Sequence, residues 1–136
     1  MQLNQATDYA FRAALLLARA GEGGVVDAQT IASQEQIPIR FLLKIMRSLV
    51  QAGIVKSYRG TNGGFALGRP PREITLLDLM EAVEGPIRIN RCLLDPAYCN
   101  KHWANHCPIH QALATVQAAI VRELSRHNLA DLAGKA

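Results

Sequence analysis

The stretch PIRFLLKIMRSLVQAGIVKSYRGTNGGFALG, residues 38–68, determines the fold. Its first part predicts a helix over about residues 38–52, since apolar residues recur at i, i+3, i+4 and i+7 and form one stripe. The members of this stripe are Leu42, Ile45, Met46 and Leu49. Pro38 suits the first turn of the helix and Gly53 its end. Residues 54–58 and 65–67 then predict a β-hairpin across a glycine-rich turn.

Helices are also predicted on both sides of this stretch. Residues 7–20 form the first, with Thr7 as its cap, and Asp27 caps a short second helix. A capping box at residues 75–78 opens a fourth helix. A long helix follows from residue 108 to about residue 126, with an apolar face made by Ile109, Leu113, Val116, Ile120 and Leu124. The order predicts a mainly α fold with a small β-hairpin wing, a winged helix-turn-helix followed by a long C-terminal helix.

Composition and charge limit the class of protein. The chain has 136 residues, of which 49% are apolar and 19% charged, so it can bury a core and disorder is not expected. Asp8 and Arg12 interrupt the apolar start, so we do not expect a signal peptide. No stretch reaches the roughly 18–20 apolar residues that cross a bilayer. We therefore expect a cytoplasmic protein that does not bind membranes.

The positive charge is concentrated in one segment. Residues 36–72 contain seven of the 15 Lys and Arg and none of the 11 Asp and Glu, so the rest of the chain holds eight basic and eleven acidic residues. The net charge of +4 therefore conceals a basic surface over the third helix and the hairpin. Such a surface is typical of double-stranded DNA binding, because phosphate groups require gathered positive charge. A solvated helix face is the alternative interpretation.

Individual residues of this segment have predicted roles. Arg40, near the start of the third helix, can pair with guanine in the major groove. Arg59, at the hairpin tip, suits a narrow minor groove. Gly60, Gly63 and Gly64 allow a close backbone approach and positive φ in the turn. The candidate DNA contacts are Arg40, Lys44, Arg47, Lys56, Arg59, Gly63 and Gly64.

Three cysteines lie between the hairpin and the long helix. Cys92, Cys99 and Cys107 have the spacing C-x6-C-x7-C, and the same segment contains His102, His106 and His110. An odd number of cysteines does not suit a disulfide framework. Thiolates bind iron–sulfur clusters and zinc, and imidazole suits both metals, so the ligand chemistry leaves the two open. The third interpretation is that the three cysteines are buried as small apolar side chains.

The sequence resembles a known family over nearly its whole length. The motifs are TDYAFRA at residues 7–13, RGTNGGFALGRPPREITLLDLMEAVEG at residues 59–85, the three cysteines, and LADL at residues 129–132. They are similar to those of the bacterial iron–sulfur winged-helix transcription regulators typified by IscR and NsrR (Rrf-two type). The opening residues and LADL look closer to NsrR.

This resemblance implies a homodimer with a cofactor. The expected parts are a DNA-binding domain at residues 1–85, a cluster loop at 86–107, and a dimerisation helix and tail at 108–136. Cys92, Cys99 and Cys107 would hold a [2Fe-2S] or [4Fe-4S] cluster. The fourth ligand would be His110 as in the IscR type, or Asp8 of the partner subunit as in the NsrR type, and the likeness to NsrR favours Asp8.

We therefore expect a DNA-binding repressor whose operator affinity follows an iron–sulfur cluster sensing nitric oxide, redox state or iron–sulfur status. The alternative is a zinc-stabilised winged-helix protein without cluster sensing. Both gaps between the cysteines are longer than the x5 of the IscR and NsrR types, which leaves the cluster type open. An enzyme is not expected, because the sequence has no Gly-rich phosphate loop, paired carboxylates in a cleft or nucleophile elbow.

Overall fold

The computed structural model describes residues 3–90, 93, 95–98, 100–101 and 104–135. The helices are α1 (Gln5–Arg19), α2 (Ala28–Glu35), α3 (Ile39–Gln51), α4 (Leu76–Glu84), α5 (Pro108–Leu124) and α6 (Leu129–Ala133). The strands are β1 (Val55–Tyr58) and β2 (Gly64–Leu67), and short 3-10 turns occur at Pro71–Glu73, Pro96–Tyr98 and Ala104–His106. The predicted fold class, mainly α with a β-hairpin wing, is confirmed.

The start of α1 differs from the sequence prediction. Thr7 was expected to cap this helix, but the helix begins at Gln5 because Asn4 is the cap and accepts a hydrogen bond from the Thr7 amide at 2.8 Å. Thr7 is instead fully buried, and its hydroxyl donates to the carboxylate of Glu84. This bond joins the start of α1 to the end of α4, immediately before the cysteine segment.

The other two predicted caps are confirmed. Asp27 accepts hydrogen bonds from the Thr30 hydroxyl at 2.5 Å and the Thr30 amide at 3.1 Å, and these bonds lower the pKa of Asp27. The stabilisation from this cap is therefore present at neutral pH and lost as the pH falls through the lowered pKa. At α4, Thr75 and Asp78 form the capping box through bonds of 3.0 and 3.2 Å.

The hairpin is tied to the loop that precedes α2. β1 and β2 pair antiparallel, with Val55 opposite Leu67 and Tyr58 opposite Gly64. Val26 adds a bridge to Phe65, with both backbone bonds at 2.9 Å. The wing is therefore held by a second segment of backbone, which fixes its position relative to the three N-terminal helices.

The core is formed mainly by α1 and α3, with smaller contributions from α2, α4 and the hairpin. All four residues of the predicted α3 stripe are buried, and they join Leu17, Ile74 and Leu79 in one cluster. Leu129 of α6, 1% exposed, belongs to the same cluster, and its amide donates to the Ile74 carbonyl at 2.9 Å. The LADL segment thus packs back on the winged-helix core.

Helix α5 contrasts with this core. It has 17 residues, and none of them is buried in the single chain. Ile109 is 68% exposed and Val116 is 48% exposed, although both belong to its apolar face. One connection to the preceding segment is the bond from the Ile89 amide to the Gln117 side-chain oxygen at 3.0 Å. Leu113, Ile120 and Leu124 of the same face are half-buried, so the apolar face of α5 is only partly covered within one chain.

Two adjacent leucines of α3 test this packing. Leu42 is 0% exposed and Leu43 is 45% exposed. We expect Leu42→Ala to lower the free energy of unfolding by about 2–5 kcal/mol, because it leaves a cavity in the core. Leu43→Ala, the control, should change it by no more than about 0.5 kcal/mol. Urea denaturation measures both, and equal losses would contradict the orientation of α3.

Candidate nucleic-acid interface and cysteine segment

The basic face of α3 is directed away from the core. Arg40, Lys44 and Arg47 are all exposed, and they lie opposite the buried stripe. The turn that leads into α3 is tight, with Gln36 in the left-handed region at φ 56°. This turn sets the direction of α3 relative to α2. The three cations that the sequence predicted on α3 lie together on one exposed surface.

The hairpin brings further cations next to this surface. In β1 only Val55 is buried, whereas Lys56, Ser57 and Tyr58 are exposed, and Arg59 at the tip is exposed as well. A shallow groove of about 540 Å³ between the end of α3 and β1 is lined by Val50, Gly53, Val55, Lys56, Ser57 and Tyr58. The two basic elements are therefore neighbours in space.

These cations have no carboxylate partner among the described residues. Within the part of the chain that the structure describes, none of Arg40, Lys44, Arg47, Lys56 and Arg59 forms an ion pair with a carboxylate. By contrast, Arg69 behind the hairpin lies 3.9 Å from Asp78. Positive charge that has no internal partner is available to an external polyanion.

The glycines of the wing are required by contacts inside the protein. A Cβ on Gly63 would lie 2.3 Å from the Tyr58 carbonyl oxygen, and one on Gly64 would lie 2.4 Å from the Val26 carbonyl oxygen. The prediction of positive φ is correct for Gly60 (104°) and Gly64 (156°) but wrong for Gly63. Gly63 is needed because backbone atoms approach it closely, which its local sequence does not reveal.

Sequence reasoning missed three exposed apolar side chains on this surface. Phe41 is 56% exposed, Leu43 45% and Tyr58 48%. The signal for the first two was present, because Phe41 and Leu43 fall outside the buried stripe of α3 while flanking its cations. Their exposure gives the basic face apolar edges.

Asp8 is held by Arg12. The Arg12 Nε and Nη2 atoms donate to one Asp8 carboxylate oxygen at 3.2 and 2.6 Å, and Nη1 donates to the Glu35 carbonyl at 2.8 Å. The hydrogen bond with Asp8 raises the pKa of Arg12, so the guanidinium stays charged. Asp8 itself is 56% exposed. Arg12 thus connects a candidate metal ligand to the last residue of α2, just before the turn into α3.

The cysteine segment is described only in part. Cys107 is a half-buried free thiol at the N-cap of α5, and His110 lies half-buried in the first turn of the same helix. The predicted ligands Cys92 and Cys99, and also His102, lie outside the described residues. Among the residues that are described, no group of three or more His, Cys, Asp or Glu could hold a metal ion. Cys107, His110 and Asp8 are the candidate ligands whose positions are given.

The fold and this basic surface define a winged-helix DNA-binding protein. The profile of the Rrf2 family, described as iron-dependent transcriptional regulators, matches residues 3–135. The chain therefore belongs to the Rrf2 family and is a DNA-binding transcriptional regulator. Its relatives are transcriptional regulators, not enzymes.

Solved structures of similar proteins agree with this family. T. potens IscR has 25% sequence identity and a TM-score of 0.77, and the match covers 97% of this chain and 85% of that chain. CymR, the global cysteine regulator of B. subtilis, has 25% identity and a TM-score of 0.77, covering 98% and 96%. Staphylococcus aureus CymR has 23% identity and a TM-score of 0.75, covering 98% of both chains, which shows the fold alone.

No helix in the described ranges has the length and apolar character needed to cross a bilayer.

Two glycines of the wing allow a direct test of its packing. We expect Gly64→Ala to break the bridge between Val26 and Phe65, because the new Cβ collides with the Val26 carbonyl. Gly60→Ala, the control, adds backbone strain of about 1–2 kcal/mol at positive φ but meets no atom within 4 Å. Hydrogen exchange of the Val26 and Phe65 amides by NMR should be faster in Gly64→Ala only. Unchanged protection in that variant would contradict the close approach.

Proposed function

We propose that this regulator is a homodimeric repressor whose operator affinity is controlled by an iron–sulfur cluster bound to Cys92, Cys99 and Cys107. The observation that carries the DNA-binding part is the exposed cationic face of α3 and the hairpin, whose cations form no ion pair with a carboxylate among the described residues. The cluster part is supported by the iron-dependent description of the family and by the three thiols of the sequence.

The DNA interface follows from this cationic face. We infer that α3 enters the major groove, where Arg40 reads a base edge while Lys44 and Arg47 neutralise phosphates. Lys56 and Arg59 of the wing contact the adjacent backbone and minor groove. Gly63 and Gly64 bring the wing-tip backbone close to DNA, and their internal contacts keep the tip narrow. The operator DNA lies in the cytoplasm, so this is the expected location.

The homodimer is supported by the apolar face of α5, which is only partly covered in the single chain. A soluble helix with an apolar stripe is stable when that stripe is buried, and in the single chain Ile109 and Val116 stay exposed. We infer that a second copy covers this face, since symmetric pairing of identical patches is the commonest way to bury one. A dimer would present two α3 helices to half-sites about 34 Å apart.

The donor set fits an iron–sulfur cluster. Three thiols suit iron, and Cys107 is free and half-buried, so its sulfur is not consumed by a disulfide. When bound, the cluster supplies a centre that reacts with nitric oxide and oxidants, and its occupancy follows the supply of iron and sulfur. The protein's part is to offer the thiols, to close the fourth position and to connect this region to the DNA-binding face.

We infer that the fourth ligand of the cluster is Asp8 of the partner subunit and not His110. Asp8 is exposed on α1, and His110 lies one turn after Cys107 in sequence. The likeness to the NsrR type favours the carboxylate. Asp8 also has a connection that supports regulation: its partner Arg12 donates to the Glu35 carbonyl at the end of α2. Withdrawal of the Asp8 carboxylate from Arg12 therefore alters hydrogen bonding beside the turn into α3.

The experiment compares variants after anaerobic purification. We expect the wild-type protein to contain iron and acid-labile sulfide, Cys107→Ser to lose both, and Asp8→Ala to change the UV–visible and Mössbauer spectra. Operator affinity should differ by about 5–150-fold between protein with and without the cluster, the usual range of coupling between two sites.

Two controls make this result specific. His106→Ala removes an exposed histidine of the same segment and should leave the spectra unchanged. If His110→Ala changes the spectra and Asp8→Ala does not, the fourth ligand is His110 instead. Stoichiometric zinc without sulfide, together with the same DNA affinity in every redox state, would reject the sensor in favour of a zinc-stabilised DNA-binding protein.

The dimer has its own test on α5. Val116→Glu places a charge in the apolar face and should shift the protein to the monomer, because an unpaired carboxylate cannot be buried cheaply. Ala118→Glu, on an exposed position of the opposite face, is the matched control and should remain dimeric. Sedimentation equilibrium measures both masses. A wild-type monomer at micromolar concentration, or a dimeric Val116→Glu protein, would contradict this interface.

A further inference from the structure

Phe41 is a large apolar side chain with no place in the core. It lies in the first turn of α3, directly after Arg40, and 56% of its surface is exposed. Its neighbour in sequence, Leu42, is fully buried, so the exposure follows from the orientation of the helix. An exposed aromatic ring on a basic surface indicates a contact that is made with a partner.

The surroundings of the ring indicate what this partner is. Arg40 and Lys44 flank Phe41, and neither cation has a carboxylate partner among the described residues. A purely apolar protein surface would leave these cations buried without counter-charge, which is costly. The major groove of DNA offers both features, because phosphates line it and the thymine C5-methyl group is its apolar element.

The position of Phe41 on the helix suits such a contact. At about 100° per residue, Phe41 lies about 60° from Lys44 and about 100° from Arg40, at one edge of the cationic face. The N-terminal residues of a recognition helix are the ones that reach base edges. When Arg40 points into the groove, the ring at the edge faces the bases beside the one that Arg40 reads.

We infer that Phe41 is a specificity-determining residue that reads a thymine methyl group in each half-site of the operator. The inference rests on the proposed placement of α3 in the major groove. It predicts a required thymine beside the base pair contacted by Arg40. Arg40 then selects by hydrogen bonding and Phe41 by apolar contact, so two adjacent residues read two different chemical features.

The test removes only the methyl group. An operator is first selected from a pool of randomised duplex DNA with the cluster-containing protein. Single thymines of that operator are then replaced by deoxyuridine, which lacks the C5-methyl. At one symmetric position we expect the affinity of the wild-type protein to fall about fourfold per half-site. This factor corresponds to about 0.8 kcal/mol, the free energy of burying one carbon group.

The variants assign this loss to Phe41. Phe41→Ala should bind the thymine operator as weakly as the wild type binds the deoxyuridine operator, and it should lose nothing further on deoxyuridine. Phe41→Leu should retain part of the preference. Val25→Ala, which shortens an exposed apolar residue of the loop before α2, should retain all of it. Urea denaturation of Phe41→Ala checks that the fold is intact.

Each contrary result has a distinct meaning. Equal wild-type affinity for thymine and deoxyuridine at every position, or a full preference in Phe41→Ala, would overturn the inference. If Arg40→Ala and Lys44→Ala weaken binding in that case, α3 is still the groove helix and only the methyl reading fails. If these two variants bind as the wild type does, or if the pool yields no preferred sequence, the placement of α3 fails together with the inference.

Discussion

The burial of one apolar stripe on α3 is the constraint on which the rest of the structure depends. Leu42, Ile45, Met46 and Leu49 are at most 4% exposed, and together they fix the rotation of α3 against the core. Because the helix has a period of 3.6 residues, this rotation turns the cations of α3 to the outside. The same packing holds β1 at the end of α3, so the wing extends the cationic face.

Sequence reasoning succeeded where the signal is local. The stripe of α3, the cap at Asp27 and the capping box at Thr75 and Asp78 each depend on residues within one or two turns. It failed at Thr7, where the asparagine three residues earlier caps α1 and frees Thr7 to bind Glu84. The error at Gly63 has a different cause, since the atoms that require a glycine there are close in sequence but depend on the backbone path of the turn.

The sequence predicts which residues form the candidate site better than it predicts the contacts that join them. The cations of residues 36–72 could be identified from the sequence alone, and all of them except the half-buried Arg69 are exposed. The bond from Arg12 to the Glu35 carbonyl spans 23 residues, and no local pattern predicts it. Phe41 is likewise exposed because the adjacent Leu42 faces the core and fixes the rotation of α3. For α5, the apolar face was evident in the sequence, but its exposure in the single chain could be read only from the structure.

If α3 and the hairpin form the surface that contacts DNA, an operator duplex protects both from solvent. Amide hydrogen exchange, read by mass spectrometry with and without the duplex, measures this protection. We expect DNA to slow exchange in Ile39–Gln51 and in the hairpin at residues 55–67, while Pro108–Leu124 changes little. Protection confined to α1 and α6, with α3 and the hairpin unchanged, would contradict this DNA-binding surface.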